Sequence, residues 1–326
     1  MQSSQAASEF LLPLDVDPAS IWPVAAGNPS GNASEGSLCP CLLQTTAPEP
    51  NVLGPERDGD SSQSADEGGS AIAQTVSCPI CNLKPPVALG SGEAPSCTTF
   101  SASGPTYVIL VGDPGYGEHN LGYAFDLEAQ TQANSLQSSG NNVVACRVSS
   151  VENIVTALTT NGTIAGGVIY FGHSGSFTDP LANNQIVSIL AVGQASGNYD
   201  YNVSGHNVSQ MAAVTTASNG QNIIGVNASI TLNGCRAGLN LYDHYVFQYT
   251  CIAQMVSTNT QRGVYAYMVG EYASLNPAAT ATSRDYTGEP DPIPFTLPLY
   301  MIPEGTPGQK KPPLPFVPSG SCPNPN

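Results

Sequence analysis

The chain has 326 residues, 40% of them apolar, which is enough material for one large domain or two small ones. Charge is scarce: 10% of residues carry it, with 24 acids against 8 bases and a formal net charge of -16. Eight basic residues cannot build a stripe that follows a phosphate backbone, so no nucleic acid and no anionic membrane surface is expected as a partner.

Residues 1–104 are rich in Pro, Gly, Ser and Ala, carry an acidic stretch from Glu56 to Glu67, and hold no sustained period of 2 or 3.6. They are expected to form a low-complexity, largely irregular N-terminal region. Residues 1–20 lack a basic n-region followed by an apolar run, and no apolar run in the chain approaches ~18 residues. A cytoplasmic location is therefore favoured. Nine cysteines, an odd number in a long chain, do not suggest a compact disulfide framework and favour a reducing compartment. Five Asn-x-Ser/Thr sequons (Asn32, Asn161, Asn202, Asn207 and Asn227) are no more than this composition would supply by chance.

The pattern changes between 105 and 276. Tyr107-Val-Ile-Leu-Val111 is a short apolar strand ending in the turn Gly112-Asp113-Pro114-Gly115. Leu121 to Ser138 has helical spacing, with Leu121, Phe125, Leu127, Ala129, Ala133 and Leu136 along one side. Asn142 to Cys146 gives a second strand, and Val151 to Thr159 a helix with Ser149 or Ser150 at its N-cap. Gly167 to Phe171 is a third strand and Ala228 to Leu232 a fourth. Tyr245 to Thr258 is predicted as a helix and Gly263 to Val269 as a fifth strand. Short β-branched runs alternating with helices predict an α/β fold, a mostly parallel central sheet covered on both faces. Residues 174–226 are long and polar, with helical signal only near 208–216, and are predicted to be an insertion over the active face. From 277 to 326 prolines recur too densely for helix or sheet interior, so this Pro-rich tail is expected to be extended and irregular.

In open parallel sheets ligands bind beyond the carboxyl ends of the strands. Those ends deliver Asp113, His173 and Cys235. A thiolate and an imidazole at the tips of adjacent strands can act on one carbonyl, the first as nucleophile and the second protonating the leaving amine. Gly172, Gly175, Gly234 and Gly238 supply the sharp turns that would aim backbone N–H groups at an oxyanion.

Tyr170-Phe-Gly-His173-Ser-Gly resembles the Tyr-Ser-Gly-His-Gly of metacaspases, and Asn233-Gly-Cys235-Arg-Ala-Gly resembles their Asp-x-Cys-x-Ser-Gly. The order His-then-Cys also matches. The resemblance is to the caspase-like cysteine peptidases, which include caspases, metacaspases, gingipains, clostripain and CHAT domains, and it covers about 105–276. It implies a caspase-like three-layer sandwich, a peptide or protein substrate, a His173–Cys235 dyad, and no metal or organic cofactor. Ser174 stands where the family usually has Gly; with Gly175 and Gly234 it would support the oxyanion turn. Asn233 replaces the Asp that helps bind a basic P1 side chain, so Arg/Lys specificity is not carried over; Asp113 is a substitute candidate for substrate binding.

Other readings compete with this one. The same fold without activity would be a binding module using the same cleft. Gly172-His-Ser174-Gly-Ser176 partly matches the elbow of serine hydrolases, with Ser174 as nucleophile and His206 or His244 as base, but the elbow requires a helix directly after it. Cys146 and Cys251 are expected to be small buried hydrophobes, and His119, His206 and His244 surface residues. Cys39-Pro-Cys41 and Cys78-Pro-Ile-Cys81 suggest zinc only weakly, because the first spacing is atypical and the intervening sequence is low in complexity. Gly112-Asp-Pro-Gly-Tyr-Gly117 lacks the Lys of a phosphate loop and is expected to be a plain turn.

Overall fold

The structure is a computed structural model, and it describes residues 77–84, 93–112, 121–179, 183, 185–193, 202–216, 220–268, 271–274, 300–303 and 313–323. The predictions for Cys39, Cys41, Asp113 and His119, and most of 1–104 and 277–326, lie outside these residues.

A 3-10 turn at Ile80–Asn82 is followed by β1 (Cys97–Phe100), β2 (Thr106–Gly112), α1 (Leu121–Ser138), β3 (Asn142–Val148) and α2 (Val151–Thr160). Next come β4 (Gly167–Phe171), β5 (His173–Asp179), β6 (Gln185–Ala191), a 3-10 segment at Val208–Val214, and β7 (Ser229–Asn233). The chain continues through β8 (Leu241–Asp243), β9 (Gln248–Thr250), α3 (Ile252–Thr260) and β10 (Val264–Ala266). It ends with β11 (Glu271–Ser274), β12 (Tyr300–Pro303) and β13 (Leu314–Phe316).

Seven of these strands form the central sheet, in the order β1-β3-β2-β4-β7-β10-β13. The five inner strands are parallel, and the two edges, β1 and β13, are antiparallel to their neighbours. The predicted α/β class and mostly parallel sheet are therefore present. Strand alternation divides the core by face. Ile109 and Val111 of β2 and Val143 and Ala145 of β3 share one cluster with Phe125, Ala129 and Ala133 of α1. Val108, Leu110, Val144 and Cys146 share the other with Ile154 and Leu158 of α2 and Ile252 and Val256 of α3. Ser150 caps α2, its hydroxyl accepting the Asn153 amide at 3.1 Å.

Several expectations need correction. The sheet extends past the expected limits 105–276 on both sides, because β1 and β13 come from segments read as irregular. Proline density misled for the tail: an edge strand tolerates Pro315 because its outer N–H needs no partner. Residues 174–226 begin with the β5–β6 hairpin, and the helical signal near 208–216 is a 3-10 segment. The helix predicted from Tyr245 starts only at Ile252, since 241–250 form the β8–β9 hairpin. Phe247 at its turn holds φ 53, a conformation no helix continues through.

The largest correction concerns the cysteines. Cys146 pairs with Cys97, Cys251 with Cys322, and Cys78 with Cys81. Neither Cys146 nor Cys251 is the lone apolar side chain expected. Such bridges persist in oxidising compartments, so the cysteine count loses its force as an argument for a reducing one. The bridges differ in what they do. Sequence separations of 49 and 71 close long loops, and each is expected to stabilise by about 4 kcal/mol through chain entropy. The separation of 3 in Cys78–Cys81 gives only about 2 kcal/mol by the same relation.

Candidate functional site

Strands β4 and β7 are parallel neighbours whose register ends with Phe171 opposite Asn233. Each is followed by one glycine and then a chemically active side chain: Gly172 and His173 on one, Gly234 and Cys235 on the other. His173 and Cys235 therefore stand two residues beyond one register pair, at the carboxyl end of the sheet. The Gly172 amide donates to the Asn233 carbonyl at 3.2 Å, carrying the alignment past the last pair. Gly234 is required by space. A Cβ there would stand 2.5 Å from the Gly172 carbonyl oxygen and 2.6 Å from Ser174 Oγ. Gly175 is required by backbone, with φ +132, and a Cβ on it would meet the Cys235 carbonyl at 3.3 Å.

The Ser174 hydroxyl donates to the Cys235 carbonyl at 2.8 Å, tying the two strand ends directly. The Tyr170 hydroxyl lies 3.2 Å from the carbonyl oxygens of both His173 and Ala191, so it binds the histidine turn to β6. After Cys235 the chain turns through Arg236, whose φ of 57 is uncommon for a side chain of that size. Two further bonds hold this turn. The Gly238 amide donates to the Tyr267 carbonyl at 2.9 Å, and the Ala253 amide, at the start of α3, donates to the Ala237 carbonyl at 3.1 Å. Gly238 also lies against Phe316 of β13, where a Cβ would come within 2.8 Å of the ring. The Ile252 amide of α3 donates to Ser188 Oγ of β6 at 2.9 Å, closing a frame around the site.

Both reactive groups are enclosed. Cys235 is fully buried in the apolar cluster of Phe125 and Phe171, and it is the one cysteine among the described residues that stands outside a disulfide. His173 is 6% exposed and meets the Phe125 ring edge-to-face at 5.0 Å. Burial disfavours its charged form and lowers its pKa from 6.5 to about 4. The imidazole is neutral at pH 7 in this conformation and a weaker base than an exposed histidine.

The expected site residues fall into place unevenly. His173, Ser174, Gly175, Gly234 and Cys235 are brought together, and half-buried Asn233 closes β7 beside them. His206 and His244 lie on or near the β8–β9 hairpin, against Tyr245 and Tyr242 respectively. The Ser174 hydroxyl is directed at a carbonyl, and the chain after it runs on as strand β5, not as the helix an elbow needs. Tyr170, Phe125, Ser188 and Phe316 were not foreseen as supports. In the sequence Phe125 is simply a member of an apolar pattern and Tyr170 part of the strand leading to His173, and only their contacts across the fold show them as supports.

Among the described residues no group of three or more His, Cys, Asp and Glu side chains is placed to hold a metal ion. None of their helices is long and apolar enough to cross a membrane. No protein-family model, curated protein or solved structure matches this chain.

Proposed function

We propose that this chain is a cysteine endopeptidase of caspase-like architecture, with Cys235 as nucleophile and His173 as general acid/base. The observation that carries the reading is the shared register of the two residues, two positions beyond Phe171 and Asn233 on adjacent parallel strands. The sheet adds general support. Its parallel strands run second, first, third, fourth, fifth, so the order reverses between β2 and β4. Open α/β sheets bind ligands beyond the strand ends at such a reversal, and His173 stands two residues after the last residue of β4.

The mechanism follows from the groups present. His173 takes the thiol proton as Cys235 Sγ attacks the peptide carbonyl, then passes it to the departing amine. Water, deprotonated by the same imidazole, cleaves the acyl-enzyme. Backbone N–H groups in the turns of Ser174, Gly175 and Gly234 are the candidates to receive the oxyanion. Burial leaves the His173 imidazole neutral but a weak base, so proton transfer from the thiol is expected only once substrate has opened the site and its pKa has risen. Because Cys235 is fully buried, the substrate must open the turns over it before attack.

That same burial favours a second reading, a caspase-like module that binds a peptide without cutting it. A peptidyl chloromethyl ketone series together with a positional-scanning peptide library separates the two. The peptidase reading expects cleavage, an adduct on Cys235, and loss of both in His173→Ala. Folded protein that binds peptides yet gives neither cleavage nor adduct supports the module instead.

A further inference from the structure

Cys78-Pro-Ile-Cys81 has no part in the proposed peptidase chemistry, and its own chemistry is independent of that reading. We infer that the Cys78–Cys81 bridge is a thiol–disulfide exchange site, reacting with a thiol-bearing small molecule or protein. Three observations point there. Both sulfur-bearing residues are partly exposed, whereas Cys251–Cys322 is buried at both ends and Cys97–Cys146 is exposed at Cys97 but fully buried at Cys146, so only Cys78–Cys81 is accessible from both ends. The bridge spans a separation of only 3, so opening it releases little chain and leaves the fold closed by the other two. The Cys81 amide already donates to Cys78 Sγ at 3.3 Å, a bond that strengthens when that sulfur carries charge.

The turn is also held from outside the bridge. Ile80, between the two cysteines, is fully buried in the cluster of Phe100 and Phe125, and its amide donates to Gln130 Oε1 of α1 at 3.2 Å. The Leu83 amide donates to the Ile80 carbonyl and the Asn82 amide to the Pro79 carbonyl. Both thiols therefore stay together after reduction, the arrangement that lets one resolve a mixed disulfide on the other. The amide donor at the Cys78 sulfur favours its thiolate.

An external thiolate attacks Cys78 Sγ; a new S–S bond forms, and the Cys78–Cys81 bond breaks with its electron pair on Cys81 Sγ, which takes a proton from water. A second external thiolate attacks the outer sulfur of this mixed disulfide. The pair then returns to Cys78 Sγ beneath the Cys81 amide. Two thiols are oxidised to one disulfide, and the protein disulfide is reduced to two thiols, a two-electron exchange that is reversible.

The test equilibrates the full chain in glutathione buffers of graded reduced-to-oxidised ratio, traps thiols with a maleimide, and maps the labelled peptides. Cys78 and Cys81 should be labelled at a poise at least ~10-fold less reducing than the one that opens Cys97–Cys146 or Cys251–Cys322, with circular dichroism unchanged. Opening at the same poise as the others, or a more reducing one, overturns the proposal. In a second arm, folded Cys81→Ser should form the adduct with oxidised glutathione on Cys78 about 10-fold faster than the same variant unfolded in urea, because the backbone amide of position 81 faces the Cys78 sulfur only in the folded turn. Equal rates also overturn it. If that variant does not fold, the titration of the unaltered chain decides.

Discussion

The hydroxyl of Ser174 donates to the carbonyl of Cys235 at 2.8 Å, joining the turn after β4 to the turn after β7 across 61 residues of sequence. Ser174 is 1% exposed, so its hydroxyl has no water to turn to if that carbonyl is lost. The side chain of Ser174 thus acts as a cross-strand tie.

Ser174→Ala is expected to lower stability by about 1–2 kcal/mol, the usual cost of leaving a buried acceptor unpaired. Urea midpoints of the two proteins measure it. Alanine keeps the backbone N–H, so under the proposed cysteine mechanism any peptidase activity survives the change. Its abolition in a protein that still folds would return Ser174 to consideration as a nucleophile.

His173 gives the fold a pH dependence of definite sign. Its folded pKa is about 4 against an ordinary 6.5, so between those values the unfolded chain binds a proton that the folded chain does not. Stability is therefore complete above pH 6.5 and declines as pH falls towards 4, by about 2.5 kcal/mol at pH 4.5 from this group alone. Asp243 works in the opposite direction. Burial raises its carboxyl pKa, partly offset by the N–H groups of Tyr245 and Val246, so the folded chain gains stability as pH falls and this carboxyl takes up its proton. Comparing urea unfolding at pH 7 and pH 4.5 for the protein and for His173→Gln cancels the aspartate. The variant should lose about 2.5 kcal/mol less than the parent over that interval. Equal losses would mean that His173 is not buried in solution as it is here.

Much of the fold was legible because its inner strands are strongly patterned. The continuous apolar runs 107–111 and 167–171 and the spacing of Leu121 to Ser138 correspond to β2, β4 and α1. The site followed from one rule, that strand ends carry the chemistry, applied to a His and a Cys each preceded by glycine. What stayed hidden depends on partners distant in sequence. Cys97 and Cys322 lie in segments whose composition reads as irregular, and a disulfide partner has no local signature. The 3-residue β13 is too short to carry a period and gains its strand character from pairing with β10. Tyr245 to Cys251 shares helical composition with α3, yet the hairpin wins there because Asp243 Oδ1 accepts the Tyr245 amide at 2.8 Å and starts a turn.

Arg147 of β3 and Asp126 of α1 form an ion pair at 2.7 Å with both side chains almost fully enclosed. The guanidinium also reaches the Gly112 carbonyl at 3.4 Å, at the end of β2. Asp126→Ala would leave that cation buried beside one carbonyl, and a loss of about 3–5 kcal/mol is expected in chemical denaturation. Replacing both, Asp126→Leu with Arg147→Met, should restore most of it, because the desolvation cost is then removed along with the attraction. If the double variant is no better than the single one, the pair does more than neutralise itself.

The C-terminal segment is predicted to govern access to Cys235 as well as stability. Phe316 pairs with Val264 at the sheet edge, is 2% exposed, and lies against Gly238, close after Cys235 in the same turn. Its carbonyl accepts from Ser257 Oγ, and the Gln254 amide side chain donates to the Val317 carbonyl at 2.9 Å, so α3 grips the strand that supports the turn. Phe316→Ala removes the ring and should cost about 3–5 kcal/mol. Removing the tether instead, with Cys251→Ser and Cys322→Ser together, should cost about 4 kcal/mol through the 71-residue separation it closes. The two changes are distinguished by iodoacetamide labelling of Cys235 in native buffer, where both variants remain folded by circular dichroism. Loss of the ring should speed labelling well beyond what loss of the tether does, because the ring lies directly against Gly238 of the turn. Equal rates at equal stability would show that the segment acts on the site solely through the sheet.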